Sequence, residues 1–284
     1  QLSRSHSRKW SLHPETIGAW VAEMDFGTAP AVTAALHQAI EDGDVGYLAP
    51  AASWKMAEAT SAWLKEDCGW EVPAANIHPV SDVMSALAVT IEKFSPEGSA
   101  VIVPTPAYMP FLSFLPTIGR KVIEVPGVVT DGRWQHDLDA IDAAFAAGAR
   151  TIILCNPHNP TGTALSRAEL EAISVVVDRH GGRVFADEIH SPLRYGGVPH
   201  VPYASISDVA AGHTLTATSA SKAWNLPGLK SAQLITSNTA DEELYQVFGF
   251  TVLHGASTPG AAARGVHERS RERRVHLLHE PPGP

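Results

Sequence analysis

Cysteine is scarce in this chain, with two in 284 residues, Cys68 and Cys155. Two thiols cannot build the disulfide framework of a small secreted domain, so a reducing, cytoplasmic compartment is expected. Charge is also sparse. Only 18% of residues are charged against 44% hydrophobic, which excludes a compositionally disordered chain and leaves material for a substantial core. The balance of that charge is a formal −9, which argues against nucleic acid or an anionic membrane as the main partner. No apolar run approaches the roughly 20 residues of a membrane-spanning helix. Residues 1–10 are polar and basic, without the apolar stretch of a signal peptide. The chain starts at Gln1 rather than Met, from which a clipped or partial chain is expected. Its length allows one large domain, or one domain plus part of another.

Several catalytic signatures are missing too. The sequence holds no G-x-x-x-x-G-K-[ST] phosphate loop, so Asp187-Glu188-Ile189-His190 is not a helicase box. It holds neither H-E-x-x-H nor C-x-x-C, which leaves a zinc site little support, and neither G-x-S-x-G nor G-x-G-x-x-G.

What the chain does have is alternation. Residues 30–42 read as a helix with Val32, Ala35, Leu36, Ala39 and Ile40 on one face and Pro30 in the first turn. Residues 81–94 read as another, with Ser81 as N-cap. Residues 166–180 carry a capping box, Ser166 with Glu169, and stop at Gly181 and Gly182. Between helices lie short, nearly continuous apolar runs at 100–103, 151–155, 183–186 and 214–218. Such runs suit strands buried on both faces of a parallel sheet, and the class is α/β.

In open α/β sheets, ligands bind beyond the carboxyl ends of the strands. The first run is followed by Pro104-Thr105-Pro106-Ala107-Tyr108. The second is followed by Asn156-Pro157-His158-Asn159-Pro160-Thr161-Gly162. The third leads into Asp187-Glu188-Ile189-His190, and the fourth into Ser219-Ala220-Ser221-Lys222. Taken singly, each is ordinary: a lone Lys is usually a solvated surface group, and Asn-Pro-x-Asn-Pro can be a rigid turn. Together they offer a ring, an amide, a carboxylate and an amine, the set needed by a charged aromatic cofactor bearing an aldehyde.

The ordered combination Asn159-Pro160-Thr161-Gly162, Asp187 and Ser219-x-x-Lys222 resembles the signature of fold-type I pyridoxal-phosphate (PLP) enzymes, class I/II aminotransferase family. Trp20-Val21-Ala22-Glu23-Met24-Asp25-Phe26, Gly46-Tyr47, Pro104 to Phe111 and Ser221 to Lys230 narrow the resemblance to the MalY/PatB-type cystathionine β-lyases, across about residues 9 to 260. The resemblance implies a large domain with a mainly parallel sheet. It makes Lys222 the residue that holds the cofactor and then serves as base at the substrate Cα, with Asp187 facing the pyridine nitrogen. Asn159 is implied at the phenolic oxygen with His190 beside it, and Tyr108 on the ring face. Val83 and Met84 backbone N–H groups, Ser219 and Lys230 are implied around the phosphate. Tyr47 is implied to reach the phosphate or substrate of a neighbouring subunit, because family sites are built across a homodimer. The implied reaction is β-elimination from a small amino-acid substrate, cystathionine or a related S-substituted cysteine, to pyruvate, ammonia and a thiol. An aminotransferase and an inactive truncated fragment are the alternatives.

The division expected is an N-terminal segment, 1–42, forming an arm and part of a small domain; a large cofactor-binding domain, 43–260; and a tail, 261–284. The tail holds five Arg, three His and three Pro but no Phe, Tyr, Trp or Ile. Ala256-Ser257-Thr258-Pro259-Gly260 still matches the family, and the residues after Gly260 do not. A frameshifted or misassembled end is therefore expected, with the C-terminal small domain incomplete, its substrate-carboxylate Arg missing, and the chain as written impaired in solubility and turnover.

Overall fold

A computed structural model describes residues 7–195 and 197–252 together with 257 and 260, and of Phe250 only the backbone. The tail 261–284 lies outside the described residues. The chain opens with one helical turn, α1 (Arg8–Ser11), and two helices, α2 (Pro30–Glu41) and α3 (Pro50–Cys68). Both α2 and α3 begin on a proline, where the missing N–H would have had no intrahelical acceptor anyway. Helix α3 stops at Gly69, whose φ of 69° is the left-handed cap that glycine adopts without a Cβ penalty.

Strands and helices then alternate: β1 (Ile77–Val80), α4 (Val83–Lys93), β2 (Ala100–Thr105), α5 (Met109–Thr117) and β3 (Val122–Pro126). A small antiparallel hairpin comes next, β4 (Val128–Thr130) with β5 (Arg133–Gln135). The rest is α6 (Leu138–Ala146), β6 (Ala149–Cys155), α7 (Arg167–Arg179), β7 (Arg183–Asp187), α8 (Asp208–Gly212), β8 (Thr214–Ser219), β9 (Ala232–Thr236) and α9 (Thr239–Val252).

The main sheet has seven strands in the order β1-β9-β8-β7-β6-β2-β3. All pairings are parallel except those of β9, which runs against both β1 and β8. The expected α/β class and mainly parallel sheet are what the chain adopts. The four runs read as doubly buried strands are β2, β6, β7 and β8, and they lie side by side. Alternate residues explain why these runs are continuously apolar. Val101, Val103, Ile153 and Phe185 join α4, α5 and α9 in one core cluster, while Ile102, Ile152, Leu154 and Val184 join α6, α7 and α8 in another. Neither face is left to water.

Helix α7 carries its capping box as expected. The Ser166 side chain accepts from the Glu169 N–H, and Glu169 Oε2 accepts from the Ser166 N–H at 2.8 Å. Arg133 of the hairpin pairs with that same Glu169. Helix α4 departs from the reading. Its N-cap is Asp82 rather than Ser81, and it starts at Val83. Asp82 Oδ1 accepts the Ser85 N–H at 2.8 Å, and a carboxylate there also complements the positive end of the helix dipole. Ser81 is left to share a hydrogen bond with the Ser85 hydroxyl at 2.5 Å.

Helix α2 packs away from the sheet. Its buried Val32 sits in a small cluster with Ala220 and Leu226, the residues flanking the loop that carries Lys222.

Candidate active site

Because β2, β6, β7 and β8 are neighbours and parallel, their carboxyl ends lie along one edge of the sheet. Tyr108 N-caps α5 just beyond β2. Asn156 and Asn159 come after β6, Asp187 closes β7 with His190 three residues on, and Lys222 lies three residues past β8. The sheet thus brings together the ring, amide, carboxylate, imidazole and amine singled out in the sequence.

Asp187 is the centre of the electrostatics. It is 5% exposed, and its Oδ1 accepts the Ile189 N–H at 3.1 Å. Burial pushes its carboxyl up from the ordinary 3.8 to about 6; the neighbouring Glu188 pushes the same way, while the Ile189 N–H and the Lys222 charge pull it down. Glu188 is itself buried, accepting the Tyr203 N–H at 2.8 Å, with His200 Nε2 at 3.1 Å from its other oxygen. His190 is driven down to about 4, first by burial and then by the Lys222 charge, so it is neutral at physiological pH. Lys222 therefore lies within electrostatic reach of both groups. Tyr108 is 39% exposed, edge-on to Phe111 at 5.4 Å, and its hydroxyl is held above its ordinary value by burial, Asp187 and Asp82.

A buried, raised carboxyl at the carboxyl end of a sheet strand marks a functional candidate and carries a stability cost. Moving it from 3.8 to about 6 costs about 3 kcal/mol of folding stability once the group is ionised. The sign comes from the raised value: the cost is fully present above about pH 6 and vanishes as pH falls towards 4. Asp187→Asn should therefore raise the urea midpoint of the cofactor-free protein at pH 8 and leave it unchanged near pH 4. A variant no more stable than wild type at pH 8 would refute the buried charge.

A second subsite lies at the start of α4. The first N–H groups of a helix, here those of Val83 and Met84, have no intrahelical acceptors and attract anions. Lys230, in the left-handed region at φ 48°, extends its Nζ to Asp82 Oδ2 at 3.0 Å across this helix end. Burial raises the Asp82 carboxyl, but Lys230 and the Ser85 N–H and hydroxyl outweigh it and hold the group below its ordinary value. Ser219 is fully buried, donating to the Ser231 carbonyl at 2.8 Å and accepting the Ser221 N–H at 3.0 Å. Its hydroxyl thus ties the lysine loop to the start of β9. Tyr47 stands at a distance along the chain, 89% exposed, bridged to Ser257, whose N–H in turn donates to the Lys230 carbonyl at 3.2 Å.

Sequence reasoning passed over several supporting residues. Asn156 is buried, with Oδ1 accepting the Leu165 N–H at 3.0 Å, and its Nδ2 has no hydrogen-bond partner among the described residues. His158, between the two asparagines, stacks on Trp134 with ring centroids 4.0 Å apart, which fastens the Asn159 loop to the hairpin. Asn225 binds the main chain near Met24. An Asn that must adopt positive φ is a readable signal, but its distant partner is not.

The aminotransferase class I and II family model matches residues 20–276, running past Gly260. A cystathionine β-lyase of Corynebacterium glutamicum is 35% identical over 274 residues, covering 96% of this chain and 72% of the relative. A crystal structure from Corynebacterium diphtheriae, assigned as a PLP-dependent β-cystathionase, superposes with a TM-score of 0.88 at 36% identity, over 95% of this chain and 70% of that one. Cystalysin of Treponema denticola, solved with pyridoxal 5'-phosphate, gives a TM-score of 0.86 at 26% identity, over 95% and 71%.

Proposed function

We propose, from the premise that this chain belongs to the aminotransferase class I and II family, that it is a PLP-dependent carbon–sulfur lyase of the cystathionine β-lyase branch. Its substrates are cystathionine or related S-substituted cysteines, and its products pyruvate, ammonia and a thiol. The observation that carries the reading is the buried Asp187 carboxyl, raised to about 6, beside the Lys222 amine at adjacent strand ends.

The residues present fit the cofactor. Asp187 is a buried carboxyl that feels the Lys222 charge, and a pyridinium N–H would relieve its burial. The α4 N-terminus with Lys230 suits a phosphate, and Tyr108 offers a ring face. Asn159 offers an amide to the phenolic oxygen, with neutral His190 beside it. When bound, the cofactor supplies a protonated pyridine ring that accepts the electron pair left at the substrate Cα. Asp187 holds the proton on the ring nitrogen. Lys222 would hold the cofactor through its aldehyde carbon, and its amine would be the base that takes the substrate Cα proton. Val83 and Met84 N–H groups, Lys230 and the Ser219-braced loop keep the phosphate end fixed, so the reacting end stays aligned. Tyr47 serves the neighbouring subunit's site in a homodimer, and the compartment is the cytoplasm, in keeping with a sequence that holds two cysteines, too few for a disulfide framework. No helix among the described residues is long and apolar enough to cross a membrane.

The second reading, an aminotransferase, is favoured by the family's description and shares the same Cα deprotonation. The two differ in what they need. Supplied with cystathionine and PLP but no keto acid, a version with a family-like continuation after Gly260 is expected to release pyruvate. Turnover that requires 2-oxoglutarate and yields no pyruvate would establish the aminotransferase instead.

A further inference from the structure

Asn225 lies three residues beyond Lys222, and its N–H donates to the Lys222 carbonyl at 3.3 Å. Its backbone is left-handed, φ 56°, a conformation asparagine tolerates better than most side chains. The carboxamide is spent on a segment about two hundred residues earlier. Oδ1 accepts the Met24 N–H at 3.0 Å, and Nδ2 donates to the carbonyls of Met24 at 3.1 Å and Phe26 at 3.4 Å. The amide thus pairs with Met24 as a neighbouring strand would, satisfying both its N–H and its C=O.

Residues 20–26 lie in no helix or strand, and hydrophobic burial does not fix them: Phe26 is 76% exposed and Trp20 is also exposed. Polar ties hold them instead. Opposite Asn225, Lys9 Nζ donates to the Glu23 carbonyl at 2.9 Å and to Asp25 Oδ2 at 2.8 Å, and Trp10 Nε1 donates to Asp25 Oδ1 at 2.7 Å. Met24 thus lies between residues held by an N-terminal clamp, and among the described residues its own backbone hydrogen bonds run to Asn225 of the lysine loop.

We propose that Asn225 is a positioning residue, stapling the backbone of residues 24–26 to the loop that carries Lys222 and so fixing one wall at the mouth of the site. The proposal rests on the reading of Lys222 as the reactive amine. A fixed wall orders substrate on entry rather than taking part in proton transfer, so the staple acts on KM more than on kcat.

Asn225→Gly is the informative variant, because glycine adopts positive φ freely and removes only the side chain. Asn225→Asp keeps the acceptor for the Met24 N–H but turns a carboxylate oxygen towards two carbonyls. With PLP-loaded protein, amide hydrogen exchange at Met24 should accelerate on the order of tenfold in Asn225→Gly. The visible cofactor band should be retained, and KM for cystathionine should rise about tenfold with kcat within about threefold. Asn225→Asp should fall between wild type and Asn225→Gly in exchange. Unchanged Met24 exchange in Asn225→Gly, or a loss confined to kcat, would overturn the proposal. Should Asn225→Gly not fold, wild type decides: a Met24 amide exchanging as fast as that of Gly27 overturns the staple, and a protected one upholds it. If wild type shows no cofactor band and no pyruvate, the function is refuted while the exchange result still judges the staple.

Discussion

Lys222→Ala protein is expected to fold, to lose covalent attachment of PLP, and to release pyruvate from cystathionine at least ~10³-fold more slowly than wild type, since general base catalysis alone contributes about 10²–10⁴. The magnitude reflects two roles in one amine. In the proposed reading it would both hold the cofactor and serve as the base for the Cα proton. The other groups at this edge of the sheet cannot replace it. His190 is neutral and depressed to about 4, a weak base, and Asp187 is buried and, in the proposed reading, would face the ring nitrogen. Lys230 is held at 3.0 Å from Asp82 at the helix end. Folding should survive because Lys222 is only half-buried and the surrounding loop is held by Ser219, Asn225 and Leu226 rather than by its side chain. A Lys222→Ala protein with turnover within tenfold of wild type would refute the assignment.

Asp187→Asn is expected to have the second-largest effect, a fall in kcat of about 10²–10³, in the range measured for losing one preorganised electrostatic partner of a transition state. The amide oxygen can still accept the Ile189 N–H, so local geometry is preserved. What disappears is the negative charge that, in the proposed reading, would keep the ring nitrogen protonated. PLP should still bind, because the phosphate end and Lys222 are untouched. The same substitution removes a buried charge, so lower activity and higher cofactor-free stability at pH 8 should occur in one protein, the trade expected of a functional site. Near-normal kcat in Asp187→Asn would contradict the role.

Much of this was legible in the sequence because the site is built on doubly buried strands. Strands β2, β6, β7 and β8 announce themselves as apolar runs, and the candidate residues sit at or just past each end. Helix α7 was legible through its capping box. Helix α3 was not, because its inward residues include Ala57, Ala59 and Thr60, too small or polar to give a clear helical stripe. Strand β9 was hidden by Gln233, a fully buried polar residue at the second position of a five-residue run. At α4 two adjacent residues could cap, and the carboxylate of Asp82 won over Ser81. The Asn225 ties to Met24 and Phe26 span some two hundred residues, and no local pattern encodes such a pairing.

The central claim is that Lys222 is the amine that holds the cofactor, and reduction tests it most directly. PLP-loaded protein treated with borohydride should lose its visible band and carry one permanent pyridoxyl-phosphate label. Peptide mapping should place that label on Lys222. A label on Lys230 or on any other lysine, or no label from protein that had shown the band, would contradict the account.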